Sequence, residues 1–201
     1  MEVAVLASGR GTNFQAIIDA KNKGKLPNAN IKILIVNNDK AQAIEIAKKY
    51  DVKFYIVKSK NKKRENFEIE ILEILSRNAI EVIALAGFMR ILSKHFVNKY
   101  KDKIINIHPS LLPKFPGVNA HRDAIEAGAN ESGCTVHFVD EGVDTGPIIL
   151  QESIKIDRKD DENSLAKKIL PLEHKIYPIA IELLCSQKLD IKEGKVIINT
   201  N

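Results

Sequence analysis

Asn106 and His108 stand one residue apart at the end of an apolar run, Ile104 to His108 (IINIH), which enters a loop carrying Pro109, Pro113 and Pro116. Strand residues two apart face the same side, so the amide and the imidazole address one space. The ends of strands in a parallel sheet are where such folds place their chemistry. A second stretch, Asp140 to Gly146 (DEGVDTG), offers the carboxylate of Asp144 on another loop. An amide donor can stabilise an oxyanion. An imidazole titrating near neutrality can hold or move protons. A nearby carboxylate favours the imidazolium and fixes its orientation. Together the three groups suit transfer of an acyl group through a tetrahedral intermediate.

Two other chemistries use some of the same residues. A Ser–His–Asp hydrolase would need Ser110 to reach His108 across Pro109, and the GxSxG elbow is missing. A metal held by His108, His121 and His137 is a second possibility, although their spacing matches no ligand motif. His95 reads as an exposed helix residue and His174 as part of a late helix.

A third stretch, Ser8 to Asn13 (SGRGTN), lies between an apolar run and a helical pattern. Backbone amides and a helix N-terminus there form an anion site, and glycines allow close approach of a phosphate. It is not a P-loop, because no Gly-Lys-Ser/Thr follows. Gly9 and Gly11 with Asp39 partly match the dinucleotide fingerprint, but Phe14 occupies the third glycine position. A phosphomonoester held at Gly11, Thr12 and Asn13 fits better, and a purely structural turn stays open.

The elements that must position these groups alternate. Strands are expected at Glu2–Ala7, Ile31–Val36, Val52–Val57, Val82–Ala86 and Lys103–Ile107. Helices are expected to begin near Thr12 or Asn13 as cap and to cover Ala41–Tyr50, Arg64–Leu75 and Ser93–Tyr100. Strand–helix alternation specifies a parallel α/β sheet with right-handed crossovers. Beyond Gly117 a helix at Asn119–Ala127 precedes two strands, Cys134–Val139 and Pro147–Ile156, that read as an antiparallel pair. Asp161–Cys185 is helical, and Pro171 and Pro178 should kink or restart it. Lys195–Asn199 reads as a last edge strand. The expectation is one α/β domain over residues 1–201 with helices on both faces: a Rossmann-like parallel half, 1–100, continuing into a mixed sheet over 101–201.

Composition narrows the function classes. Lysine and arginine number 31 against 26 aspartate and glutamate, a formal charge of +5 that weakly favours anionic ligands. Lys60–Arg64 (KNKKR) reads as a solvated loop. Tryptophan is absent and aromatics are 5%, so nucleic-acid binding is unsupported. The best apolar run, Val82–Leu92, is too short for a bilayer and contains Arg90. A strand from Glu2 leaves no room for a signal peptide. Two cysteines, Cys134 and Cys185, fit a reducing cytoplasm.

The stretches Val5–Ile18, Leu85–Ser93, Ile105–Gly117, His137–Gln151 and Glu173–Pro178 together resemble the folate-dependent formyltransferases, in particular the branch acting on glycinamide ribonucleotide in purine synthesis. The resemblance implies an enzyme with 10-formyltetrahydrofolate as cosubstrate, glycinamide ribonucleotide as acceptor and no metal. It implies Asn106, His108 and Asp144 as the catalytic trio, with protonated His108 and Asn106 stabilising the oxyanion and Asp144 holding His108 charged. Gly11, Thr12, Asn13 and Glu173 match ribonucleotide-binding positions. Arg64, Met89, Arg90, Ile91, Leu92, Asn106, Asp140, Glu141, Gly142, Val143 and Asp144 match folate-binding positions. Two departures are visible: Asn119 stands where some members carry histidine, and Leu170-Pro171-Leu172 is more apolar than expected. The resemblance leaves monomer or homodimer open. The tRNA-formylating and sugar-nucleotide branches, the formyltetrahydrofolate hydrolases and a non-catalytic nucleotide or folate sensor are the competing readings. The length leaves no room for the extra domains of the tRNA enzyme or the hydrolase.

Overall fold

Residues Val3 to Ala7 dictate the architecture. Val3, Val5 and Ala7 enter one apolar cluster, while Ala4 and Leu6 enter another. A strand buried on both faces needs neighbours on both edges and helices above and below. The computed structural model describes residues 1–199 and meets that requirement. Strand β1 (Glu2–Ala7) lies inside a 7-stranded sheet of order β3-β2-β1-β4-β5-β6-β7. Here β2 is Asn30–Val36, β3 Lys53–Ile56, β4 Val82–Leu85 and β5 Ile104–His108, and every pairing among β1 to β5 is parallel. The sheet continues through β6 (Glu131–Phe138) and β7 (Ile148–Lys155), both antiparallel.

One face is covered by α1 (Thr12–Asn22), α2 (Ala43–Lys49), α5 (Ala120–Glu126) and α6 (Glu162–Cys185), which share the cluster of Val3 and Val5. The other carries α3 (Arg64–Arg77) and α4 (Lys94–Lys99), through Phe67, Ile71, Phe96 and Val97. The chain works outward from β1 to β3 and then returns to β4. That reversal opens a crevice at the carboxyl ends of β1 and β4, where open α/β sheets bind ligands.

Three sequence expectations need correction. Helix α6 runs through Glu162–Cys185 as one 24-residue helix with Pro171 and Pro178 inside it, so neither proline restarts it. Each proline removes one amide donor and costs about 3 kcal/mol in a helix interior. Burial of Leu165, Ile169, Ile176, Tyr177, Ala180, Ile181 and Cys185 along one stripe holds the rod together against that cost. Second, Lys195–Ile198 (β9) does not edge the main sheet. It pairs antiparallel with Leu189–Lys192 (β8) in a separate hairpin. Glu193 and Gly194, both left-handed, make its two-residue turn. Third, the N-cap of α1 is Gly11, not Thr12 or Asn13, and it offers no side-chain cap.

Candidate active site

Gly11 is where glycine is required. Its φ is 76°, and a Cβ there would meet Ala43 Cβ at 2.7 Å. The left-handed turn lets α1 and α2 approach and starts α1 abruptly: the first backbone bond of the helix runs from Gln15 N to the Gly11 carbonyl at 2.8 Å. The preceding amides, Thr12 to Phe14, therefore have no intrahelical acceptor. They open into a cleft of about 690 Å³ lined by Ser8–Asn13, Ala86, Gly87, Met89, Ile107, Pro109, His121 and one face of α6. That is the crevice the strand order demands.

Asn13 and Glu173, both expected in the ribonucleotide site, meet there: Asn13 Nδ2 donates to Glu173 Oε2 at 2.6 Å. Burial raises the Glu173 carboxyl above its usual range, with Asn13 and Arg10 offsetting part of the effect. Two buried polar atoms lining this cleft, Asn13 Oδ1 and His121 Nε2, have no hydrogen-bond partner among the described residues. Such atoms are costly to leave unsatisfied, which marks the cleft as one that receives a polar ligand.

The trio lies around the end of β5. Strand alternation sends Ile107 to the cleft and Asn106 and His108 to the other side. There His108 Nδ1 is 3.4 Å from Asp144 Oδ2. His108 Nε2 lies 2.9 Å from the Phe115 carbonyl, which can only accept, so Nε2 carries the proton. Phe115 has φ 56°, left-handed and strained for so bulky a residue, and this aims its carbonyl back at the ring. Asp144 is left-handed too, at φ 55°, and accepts from the Gly117 amide at 2.8 Å.

These surroundings correct one expectation. Burial lowers the His108 pKa below the ordinary histidine value, His137 adds to the effect, and the Phe115 carbonyl and Asp144 only partly oppose it. The resting imidazole at neutral pH is uncharged. For Asp144 burial opposes ionisation, but His137, the Gly117 amide and His108 outweigh it and bring the carboxyl below its usual range. The pair therefore rests as a neutral imidazole facing a carboxylate, ready to hold a proton that reaches Nδ1.

His137 belongs to this cluster, a place that residue spacing did not give. Register sets it opposite Asn106 across β5 and β6. Its Nδ1 lies 2.8 Å from the Phe138 carbonyl and so bears a proton. Its Nε2 lies 3.3 Å from Asn106 Nδ2 and 3.6 Å from Asp144 Oδ1. An amide nitrogen has two hydrogens, so when His137 Nε2 is unprotonated Asn106 can donate one to it and keep one free, and when Nε2 is protonated it faces Asp144 instead. The only available signal was the β5–β6 pairing register.

The proline loop is held from below. Thr135 Oγ1 donates to the Ser110 carbonyl at 2.6 Å and accepts from the Leu112 amide at 3.1 Å. Ser110 is fully buried, and its hydroxyl donates to the Lys114 carbonyl at 2.6 Å. That rules it out as a nucleophile on His108. Asp39, which a dinucleotide site would need for a ribose, is instead paired with Lys58 at 2.6 Å. Among the described residues no group of three or more His, Cys, Asp or Glu is placed to hold a metal ion.

The expected folate segments converge on α4. The Met89 amide donates to Ser8 Oγ at 2.8 Å, joining this segment to the glycine loop. Met89 and Ile91 are 65% and 63% exposed, an open apolar lip, with Leu92 buried behind it. The Arg90 guanidinium lies over the Phe67 ring at 5.8 Å. Buried Glu68 accepts from the Ser93 amide at 2.7 Å and from the Ser93 hydroxyl, pinning the segment to α3; this residue was missed in the sequence. In the second loop Asp140 Oδ1 accepts from the Gly142 amide at 3.0 Å and the Thr145 hydroxyl at 2.7 Å, which shapes the turn. Glu141 reaches Lys94 at 2.7 Å and Asn98 at 3.1 Å on α4, and Val143 is exposed. Arg64 opens α3 as an exposed residue.

A family model described as formyl transferase matches residues 1–181. The chain belongs to the formyl transferase family. The phosphoribosylglycinamide formyltransferase of Bacillus subtilis is 43% identical over 182 residues, covering 90% of this chain and 93% of that protein. The trifunctional purine biosynthetic protein adenosine-3 of Drosophila pseudoobscura pseudoobscura is 46% identical over 93% of this chain, which spans 14% of that protein's length. A solved structure, glycinamide ribonucleotide transformylase 1 from Symbiobacterium toebii, superposes with a TM-score of 0.96 at 38% identity, covering 99% of this chain and 94% of that one. Within this formyl transferase fold, the cleft and the trio occupy opposite sides of one strand end.

Proposed function

We propose that the chain transfers the formyl group of 10-formyltetrahydrofolate to the amine of glycinamide ribonucleotide in de novo purine synthesis. The observation that carries this reading is the shared strand end: an anion cleft lies on one side of β5 and the Asn106–His108–Asp144 cluster on the other. The Bacillus subtilis relative, matched over 93% of its length and named for this reaction, supports it. The Gly11–Asn13 amides, Asn13 and Glu173 hold the ribonucleotide. Met89–Leu92, Asp140–Asp144 and Arg64 hold the folate, its ring against the apolar lip.

The amine nitrogen attacks the formyl carbon. A nitrogen–carbon bond forms and the carbonyl electrons move onto oxygen. The free hydrogen of Asn106 meets that oxyanion. His108, neutral at rest, takes up a proton as the amine loses one, and Asp144 stabilises the imidazolium then formed. The bond from the formyl carbon to N10 breaks, and N10 receives the proton. No covalent enzyme intermediate is needed. The reading includes a cytoplasmic monomer or homodimer built as one domain, with the two buried free thiols, Cys134 and Cys185, supporting the location.

Purified protein, 10-formyltetrahydrofolate and glycinamide ribonucleotide will give tetrahydrofolate and formylated ribonucleotide in equal amounts. Tetrahydrofolate release with water alone, and none that depends on the ribonucleotide, rejects the proposal in favour of a hydrolase.

A further inference from the structure

We propose that Lys167 is a specificity-determining residue that makes the acceptor cleft select a phosphorylated substrate. The inference rests on the reading of that cleft as the ribonucleotide site and goes beyond the residues assigned to it above. Helix α6 presents Asn163, Ala166, Lys167, Leu170 and Glu173 to the cleft. Their spacing of three and four residues is a single helix face, so Lys167 is directed by the same turns that direct Glu173.

The charges lining the cleft decide what it can hold. Arg10, Lys167 and Glu173 are its ionic side chains. His121 lines it as well, but burial lowers its pKa, and Glu162 only partly restores it, so it is uncharged at neutral pH. Counted as ionised, Glu173 balances Arg10 in net charge, with no ion pair between them, and Lys167 is the surplus positive charge. A phosphomonoester carries a charge of about −1.5 to −2 at neutral pH. Helix-terminal amides contribute only about half an elementary charge. Without Lys167 the cleft's side chains are neutral overall, and a buried carboxylate faces the dianion.

The neighbouring lysines are committed elsewhere. Lys168 binds Asp157 at 2.6 Å and also Asp160, and Lys175 binds Glu152 at 2.6 Å. Among the described residues neither Lys167 nor Arg10 has an ion-pair partner within 4.0 Å. Two adjacent lysines thus divide their tasks: Lys168 secures the start of α6, and Lys167 faces the cleft.

The test compares glycinamide ribonucleotide with its dephosphorylated riboside in the intact protein. Lys167→Ala will raise KM for the ribonucleotide about three- to tenfold, with kcat within about twofold. It will leave kcat/KM for the riboside unchanged. Lys167→Arg will recover most of the loss, Lys175→Ala will lose nothing, and the salt dependence of the ribonucleotide KM will flatten in Lys167→Ala. Equal losses on both acceptors, or no loss on the ribonucleotide, overturn the proposal. Calorimetry with ribose 5-phosphate separates it from the formyl-transfer reading. Binding that weakens in Lys167→Ala while no formyl transfer occurs sinks only the latter. Equal binding by both proteins sinks the role of Lys167.

Discussion

At His108 two forces act against each other. Burial keeps the ring neutral, while Asp144, 3.4 Å away, favours the charged form. Replacing Asp144 by Asn removes the anion that favours the imidazolium. The His108 pKa will therefore fall further below the ordinary value, as read by NMR titration of the ring; a rise would refute this account. Asn106→Ala and His108→Ala will each lower kcat about 10²–10³-fold, the usual loss for an oxyanion donor and within the range for a positioned general base. Circular dichroism will stay unchanged, and near wild-type turnover in His108→Ala would end the assignment. That Asn106 and His108 share one side of β5 was legible from their two-residue spacing. The charge state of His108 was not, because spacing carries no information on burial. His137 was hidden for a related reason: only the pairing of β5 with β6 puts it beside Asn106.

Among the elements, short loops carry the two binding segments, and single side chains fix them. Glu68 spans from α3 to Ser93, the cap of α4, and holds the loop before it. Glu68→Ala strands the Ser93 donors and will cost about 1–3 kcal/mol of stability. Amide exchange will quicken at residues 88–93, and KM for the folate will rise more than kcat falls; unchanged exchange there would contradict the role. Gly11→Ala sets a Cβ against Ala43 at an unfavourable φ. It will cost about 1–3 kcal/mol in denaturant unfolding and weaken the ribonucleotide more than the folate. Equal weakening of both ligands would argue against a phosphate role for this turn. The sequence marked this turn through its glycines but misplaced the cap, since the approach of α2 is a tertiary fact. The β8–β9 hairpin was missed because β8 is only four residues long and Glu193-Gly194 is not one of the usual hairpin dipeptides.

For the whole molecule, buried histidines set the response to acid. Burial lowers the pKa of His108, His121 and His174. The unfolded chain then binds protons more readily than the folded one. Their contribution to stability is full above the unfolded value of about 6.5 and is lost as pH falls through the lower folded values. Glu173 acts in the opposite sense: its raised pKa gives stability at low pH that is lost as pH rises above its ordinary value. Three groups outweigh one, so the melting temperature will fall between pH 7.5 and 5.5 and His174→Asn will reduce that fall. A melting temperature that is flat or rises over this range would contradict it. The layered fold itself was readable, because strand–helix alternation with doubly buried strands permits few arrangements.

Helix α6 also restricts how this chain can change in length. Along one rod it carries the cleft-facing residues Asn163 to Glu173 and then Tyr177, whose hydroxyl lies 2.8 Å from the Leu85 carbonyl in the middle of the sheet. One residue inserted between Glu173 and Tyr177 would turn one set by about 100° relative to the other. Either the cleft wall or the sheet contact would then face solvent. The β8–β9 hairpin, which packs Leu189, Ile191 and Val196 against the core from outside the main sheet, carries no cleft-lining residue. Insertions and deletions should therefore accumulate at the hairpin, whereas the count of residues from 163 to 177 is held like the teeth of a key.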